Sequence, residues 1–209
     1  MSYKPSDFFV GVGDFFGIIM PGAIATVLLA PTLESLLAAM GGPRALEGPG
    51  LWVALAVGAY VVGHLVFMVG AFFDSAYDRL VRPYFWPASK DALFASADAE
   101  KKALLGSARN HINAYKFTKA LLSFHHAGAA AEIARLEADS KFFRSMAALL
   151  LMATIVLWSN LGWGQAASLI VLFALAFSRY AERRWQSSQT AYGYLLVYAV
   201  APPKGATKA

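Results

Sequence analysis

The sequence contains no cysteine, and only 15% of its 209 residues are charged. Without cysteine the chain has no disulfide, no thiolate nucleophile and no cysteine metal ligand. Soluble domains carry about 25% charged residues, so the low charge content and the 58% hydrophobic content indicate a polytopic membrane protein. The alternation of apolar and polar residues that would predict strands is also missing. These absences predict an all-α protein in a membrane.

The chain also lacks the short motifs that mark common enzyme active sites. It has no Gly-x-Ser-x-Gly elbow, no His-Glu-x-x-His pair, no Walker loop and no glycine-rich dinucleotide turn. Its apolar segments contain no pair of carboxylates and no serine beside a base, as intramembrane hydrolysis would require. We therefore predict a protein that is not an enzyme and that uses no cofactor or metal ion. The alternative is a membrane lipid-modifying enzyme with Asp74 and Asp78 at the membrane surface.

The longest apolar run extends from Leu51 to Phe73, and its only ionisable groups are Tyr60 and His64. About 20 apolar residues are enough for a helix to cross the hydrocarbon core of a bilayer. With the apolar segments in 8–30, 146–158 and 166–181, this run predicts four transmembrane helices. Pro21 predicts a kink in the first of them.

Between and around these spans, helical periodicity predicts further helices. Leu33, Leu36, Leu37 and Met40 lie on one helix face, which predicts a short amphipathic helix at 32–40 on the external membrane surface. The stretch 97–124 is typical of one long helix or two, and Gly128 predicts a break before a helix that continues into the third span. The predicted organisation is spans 1 and 2 with the external helix in 8–73, a cytoplasmic helical domain in 74–145, a transmembrane hairpin in 146–181, a cytoplasmic helical extension in 182–201 and a disordered tail in 202–209.

Charge placement predicts the orientation of the chain. Seventeen of the 18 Lys and Arg residues fall on the side of both termini and of the central segment, and only Arg44 falls on the other. Basic residues mark the cytoplasmic side, so we expect an inner-membrane protein with both termini in the cytoplasm. We expect no nucleic-acid binding, because no basic face with interleaved aromatic residues is present. Contact with anionic lipid is predicted for the arginines near the span ends: Arg79, Arg82, Arg144, Arg179, Arg183 and Arg184.

An intramembrane polar site is predicted at His64, with Tyr60 one turn earlier and Asp14 at the start of the first span. Ionisable groups inside a membrane usually face a bundle interior or a water-filled path, which favours a proton site or a gate. The competing interpretation is a neutral imidazole that makes a hydrogen bond to Tyr60 or to Thr154. Asp14 also fits an N-cap for the helix that follows.

Small residues predict close helix packing at Gly13 and Gly17 in the first span and along one face of the second. They allow helices to approach closely, either within one chain or between copies, and the small membrane part favours a homo-oligomer. The residues of the second span are Ala56, Ala59, Gly63 and Gly70. They lie roughly opposite the side of Tyr60 and His64. The remaining histidines, His111, His125 and His126, are interpreted as solvated surface residues.

These observations lead to a non-enzymatic membrane effector or sensor as the first hypothesis. A cytosolic protein partner or a small signal would act on the cytoplasmic helices, and the spans would change their packing or permeability. The alternative is a small channel or transporter subunit whose polar path runs near His64. In layout, the chain is similar to small bacterial membrane components of defence or stress systems.

Overall fold

The computed structural model describes residues 15–39, 48–81, 89–105, 112–158 and 162–200, and within them it contains six α-helices and no strand. The all-α class predicted from the sequence is therefore confirmed. Two π-helical turns are joined to these helices: Phe15–Ile19 precedes the first helix and Tyr77–Val81 follows the second. The helices are α1 (Met20–Ala39), α2 (Pro49–Ala76), α3 (Ser89–Leu105), α4 (Ala114–His125), α5 (Ala127–Leu157) and α6 (Trp163–Val200).

Three helical segments are long and apolar enough to cross a membrane: Trp52–Arg79, Ala127–Leu157 and Trp163–Val200. The apolar helix that precedes these three segments in the chain, Phe15–Ala30, is shorter. At a rise of 1.5 Å per residue it extends about 24 Å, less than the roughly 30 Å of a hydrocarbon core. Membrane-spanning helices are thus supported, while a fourth span stays a prediction.

The helix boundaries show how prolines act in this chain. Pro21 lies just after the π-helical turn, within a continuous helical backbone. Its missing N–H leaves the Gly17 carbonyl, four residues earlier, without a helical donor, and the Ser145 hydroxyl of α5 donates to that carbonyl instead. The helix then continues through Pro31 to Ala39 without interruption. The segment predicted as a separate external helix at 32–40 is therefore the continuation of α1, and Met40 lies outside the described residues.

Helices α5 and α6 are long and uninterrupted, as the helical pattern of the sequence predicts. Helix α5 begins just before Gly128 and continues to Leu157, and α6 continues past Arg184 to Val200. The stretch 97–124 forms two helices, α3 and α4, rather than one. The side chain of Asn113 caps α4 by accepting a hydrogen bond from Tyr115 N at 2.8 Å, which fixes the point where the second helix begins.

The chain divides into two compact units. The first consists of residues 1–77 and 138–181, and the second of residues 78–137 and 182–209. Helices α5 and α6 contribute to both units. The core of the first unit is formed by Ala25, Val66, Ala148 and Leu149. The core of the second unit is formed by Ala97, Ala114, Leu122, Ile133, Ala191, Tyr192 and Leu195.

Glycine permits backbone contact between α1 and α2 in the first unit. A Cβ atom added to Gly63 would lie 2.2 Å from the carbonyl oxygen of Ile18, and one added to Gly22 would lie 1.9 Å from that of Ala59. No side chain fits at either place. On the same unit, the Ser145 hydroxyl donates to the Gly17 carbonyl at 2.8 Å and ties α5 to the π-helical turn. The first unit is therefore held by close approach of backbones as well as by its apolar core.

We expect Gly63→Ala to destabilise the first unit by about 1–3 kcal/mol, because the added methyl group must displace backbone atoms of Ile18. The matched control is Gly70→Ala on the same helix, where the added Cβ would meet Arg144 Cγ at 3.4 Å, an ordinary contact. Thermal unfolding in detergent, followed by fluorescence-detected size exclusion, measures both. Equal stability of the two variants would contradict the close approach.

Candidate functional site

A charged cluster joins three helices of the first unit at the end of the apolar run. Asp74 is the first charged residue after that run, and its Oδ2 atom lies 2.6 Å from Arg144 Nη1 of α5. Its other oxygen, Oδ1, accepts a hydrogen bond from the Tyr180 hydroxyl of α6 at 2.5 Å. Both oxygens of one carboxylate are thus used to bind two different helices. We call Asp74, Arg144 and Tyr180, with the Phe67 ring described next, the Asp74 cluster.

The surroundings of Arg144 are those of a buried cation. The residue is 8% exposed, and Tyr180 is 1% exposed. The guanidinium carbon lies 4.4 Å from the centre of the Phe67 ring, so the ring face adds a cation–π attraction. A cation removed from water costs several kcal/mol unless a counter-charge compensates it. The position of Asp74 is therefore a requirement of the fold, and the cluster can act as a latch among α2, α5 and α6.

This placement differs from the lipid contact that we predicted for Arg144, because its charge is directed into the protein. The Tyr180 hydroxyl is likewise directed into the protein, where it donates to Asp74. One signal was present in the sequence: a carboxylate directly after an apolar run needs a partner, and Arg144 precedes the next span. What the sequence did not contain was the pairing itself.

The other predicted lipid-contacting arginines vary in their surroundings. Arg184 lies 3.4 Å from Asp78 in the second unit, with both side chains substantially exposed. Arg183 donates to the Gln186 side chain at 3.0 Å. Arg79 is exposed, Arg179 has partners within the protein, and Arg82 lies outside the described residues.

The predicted intramembrane site is a local arrangement on α2. His64 Nδ1 lies 2.9 Å from the Tyr60 carbonyl oxygen, one turn earlier in the same helix. The two rings are also in contact, with centroids 4.4 Å apart. The hydroxyl of Thr154, the other partner considered, donates to Leu150 O instead. Tyr60 is 54% exposed, so this pair does not face the interior of the first unit, and Asp14 lies outside the described residues.

Three of the four predicted packing residues of α2 lie on its covered side. Ala59, Gly63 and Gly70 are buried, and Ala56 is exposed. Gly17 approaches α5, since an added Cβ would lie 3.2 Å from Lys141 Cβ. Gly13 lies outside the described residues. The small-residue face of α2 is thus occupied by α1 and α5 of the same chain.

A second polar cluster lies wholly in the second unit and was not predicted. The Tyr115 hydroxyl of α4 shares a 2.8 Å hydrogen bond with Ser187 Oγ of α6 and donates to Glu137 of α5 at 3.4 Å. Glu137 also pairs with Lys119. Burial raises the pKa of Tyr115 to about 12, and the nearby Glu137 carboxylate adds to that rise. The hydroxyl is therefore a neutral, fixed link among three helices.

The ammonium group of Lys101 in α3 is bonded to the segment just before α4 in the same unit. Lys101 is 3% exposed, and its Nζ donates to the Ile112 carbonyl at 3.0 Å and lies 2.6 Å from Asp98. Lys101, followed by Lys102, holds the pKa of Asp98 below its usual value.

In the described part of the chain, no three His, Asp or Glu side chains come together as metal ligands. His125 and His126 instead pack against the Tyr198 ring.

We expect Asp74→Asn to reduce the free energy of unfolding by about 2–4 kcal/mol, because it leaves the Arg144 charge buried without a counter-charge. The amide oxygen can still accept from Tyr180, so the loss reports mainly on the ion pair. Asp78→Asn is the matched control: its exposed pair with Arg184 should contribute about 0–1 kcal/mol. Chemical denaturation in detergent measures both, and a comparable loss in the two variants would refute the buried pair.

We expect alkaline pH to destabilise the second unit through Tyr115. Its pKa of about 12 in the folded chain exceeds the value of about 10 for an unfolded tyrosine. The resulting stabilisation is fully present below about pH 10 and is lost as the pH rises toward 12. Tyr115→Phe should flatten this alkaline decline in a series of unfolding midpoints, with Tyr198→Phe as control. Parallel declines in wild type and Tyr115→Phe would exclude this role.

Comparison of the chain with protein-family models, with curated proteins and with solved structures gave no match. A functional assignment therefore has to be based on the helices, ion pairs and hydrogen bonds described above.

Proposed function

We propose that this chain is a non-enzymatic integral protein of the inner membrane, an effector or sensor that couples a cytosolic signal to its spans. In this proposal a protein partner or a small signal binds the second unit from the cytoplasm. The response is a change in packing or permeability of the first unit. Both termini are cytoplasmic, in agreement with the distribution of Lys and Arg.

The observation that carries the proposal is the continuity of α5 and α6. Each is a single helix that contributes residues to both units. We call the second polar cluster, formed by Tyr115, Glu137 and Ser187, the Tyr115 cluster. On α5, Glu137 of this cluster and Arg144 of the Asp74 cluster are about two turns apart. On α6, Ser187 and Tyr180 have the same separation. A shift or rotation of either helix would therefore change hydrogen bonds in both clusters.

In this proposal the Asp74 cluster is the element with two discrete arrangements that coupling between distant sites requires. In the closed arrangement the carboxylate holds α5 and α6 through Arg144 and Tyr180. Because an unpaired Arg144 is costly in a buried environment, intermediate geometries are unfavourable. The helices then either keep all of these contacts or move so that the guanidinium gains water or another anion.

We expect Asp74→Asn to increase leakage of a small dye from proteoliposomes relative to wild type, since it releases the latch without a signal. Asp78→Asn should leak like wild type, because its exposed pair is not part of the latch. The measurement is release of an encapsulated fluorophore at matched protein density. If Asp74→Asn inserts fully and leaks no more than Asp78→Asn, the Asp74 cluster does not control permeability and the proposal is wrong in that respect.

A further inference from the structure

The face of α2 that points away from α1 and α5 carries a polar pair in an otherwise apolar surface. Tyr60 and the partly exposed His64 lie at its centre. We call this surface the His64 face. Apart from Tyr60 and His64, all of its side chains are apolar and could contact hydrocarbon. Those other residues are all more than half exposed: Val53, Val57, Val61, Leu65, Met68 and Phe72.

Tyr60 and His64 lie too deep within the candidate span for their polar groups to reach water at the membrane surface. Within the candidate span Trp52–Arg79, His64 lies about 18 Å along the helix from Trp52 and about 15 Å from Asp74. Neither a phenol nor an imidazole reaches the membrane surface over such distances. Ionisable side chains at this depth almost always face protein or a water-filled cavity.

The hydrogen bond inside α2 determines what the imidazole still offers. A carbonyl oxygen only accepts, so the 2.9 Å contact with Tyr60 O requires that His64 Nδ1 carries the proton. In the neutral ring Nε2 is then an acceptor that points away from this bond. Among the described residues neither Nε2 nor the Tyr60 hydroxyl has a hydrogen-bond partner. Leaving both groups in hydrocarbon would cost several kcal/mol.

We infer that the His64 face is the contact surface between two copies of this chain. In this contact each Tyr60 hydroxyl donates to His64 Nε2 of the second copy. Under a two-fold axis along the membrane normal, residues 60 and 64 of one copy lie at the same depths as residues 60 and 64 of the other, so each Tyr60 hydroxyl reaches diagonally across the contact to the His64 ring one turn, about 6 Å, further along the second helix. Two reciprocal hydrogen bonds then satisfy all four groups.

Further features favour a second copy over lipid or a different protein. Copies inserted in one membrane share their orientation, so two α2 helices meet in parallel, and residues at spacings of three and four line such a seam. Val53, Val57, Tyr60 and His64 follow that spacing. The small-residue face, the other seam considered from the sequence, is already covered by α1 and α5. The inference rests on the span of α2 in the proposed function, but it does not depend on coupling.

Because the chain has no cysteine, single cysteines can test this contact in native membranes. Val57→Cys and Met68→Cys lie on either side of the polar pair, and mild oxidation should convert both predominantly into disulfide-linked dimers. Leu175→Cys is the matched control, since it is 60% exposed on the apolar part of α6 and should remain monomeric. Cross-linking no greater than that of Leu175→Cys, or cross-linking only to a chain of different mass, would overturn the inference.

Substitution of the polar groups gives a second measurement that does not require cysteine. His64→Phe and Tyr60→Phe should each weaken dimerisation in lipid roughly tenfold, measured by energy transfer between labelled copies. The double variant should be no weaker than either single variant, because each substitution alone removes both reciprocal bonds. Unchanged affinity, or additive losses, would contradict the pairing. Dye release by Asp74→Asn is independent of these outcomes, so a failure of coupling and a failure of this contact can be told apart.

Discussion

The ion pair between Arg144 and Asp74 constrains how the first unit can be assembled. A cation that is almost entirely removed from solvent must have its counter-charge within contact distance, and Asp74 Oδ2 provides it at 2.6 Å. The second oxygen of the carboxylate binds Tyr180, and Phe67 covers the guanidinium. Because these partners belong to α2, α5 and α6, the charge of one side chain fixes the positions of three helices together.

Close backbone packing also holds α1 against α2 in this unit. In lipid there is little hydrophobic gain from bringing helices together, so contact area and hydrogen bonds decide which faces meet. Gly22 and Gly63 let α1 and α2 touch through their backbones, and Ser145 binds the Gly17 carbonyl. One face of α2 is consumed by these contacts. The face with Tyr60 and His64 remains, which is why the inferred contact between copies is placed there.

The second unit uses polar links of a different kind. Tyr115 is held neutral by burial, with a pKa raised to about 12, and it joins α4 to α5 and α6 through Glu137 and Ser187. The same two helices also carry Arg144 and Tyr180. A helix transmits displacement along its axis because each turn is hydrogen-bonded to the next. This shared use of α5 and α6 is the physical basis of the proposed coupling.

Local properties of the chain were sufficient to predict the all-α class, the apolar segments of α2, α5 and α6 that are long enough to cross a membrane, and the uninterrupted course of α5 and α6. Hydropathy and helix propensity depend on residues within a few helical turns of one another, so they can be evaluated directly along the sequence. Partner choice could not be predicted: Asp74 binds groups 70 and 106 residues away, and Arg144 was instead predicted to contact lipid. In the same way, Gly63 was recognisably a packing residue, but only the folded chain shows that α1 covers it. Tertiary structure decided these matters because ion pairs and close contacts depend on distances in space, which the order of residues does not contain.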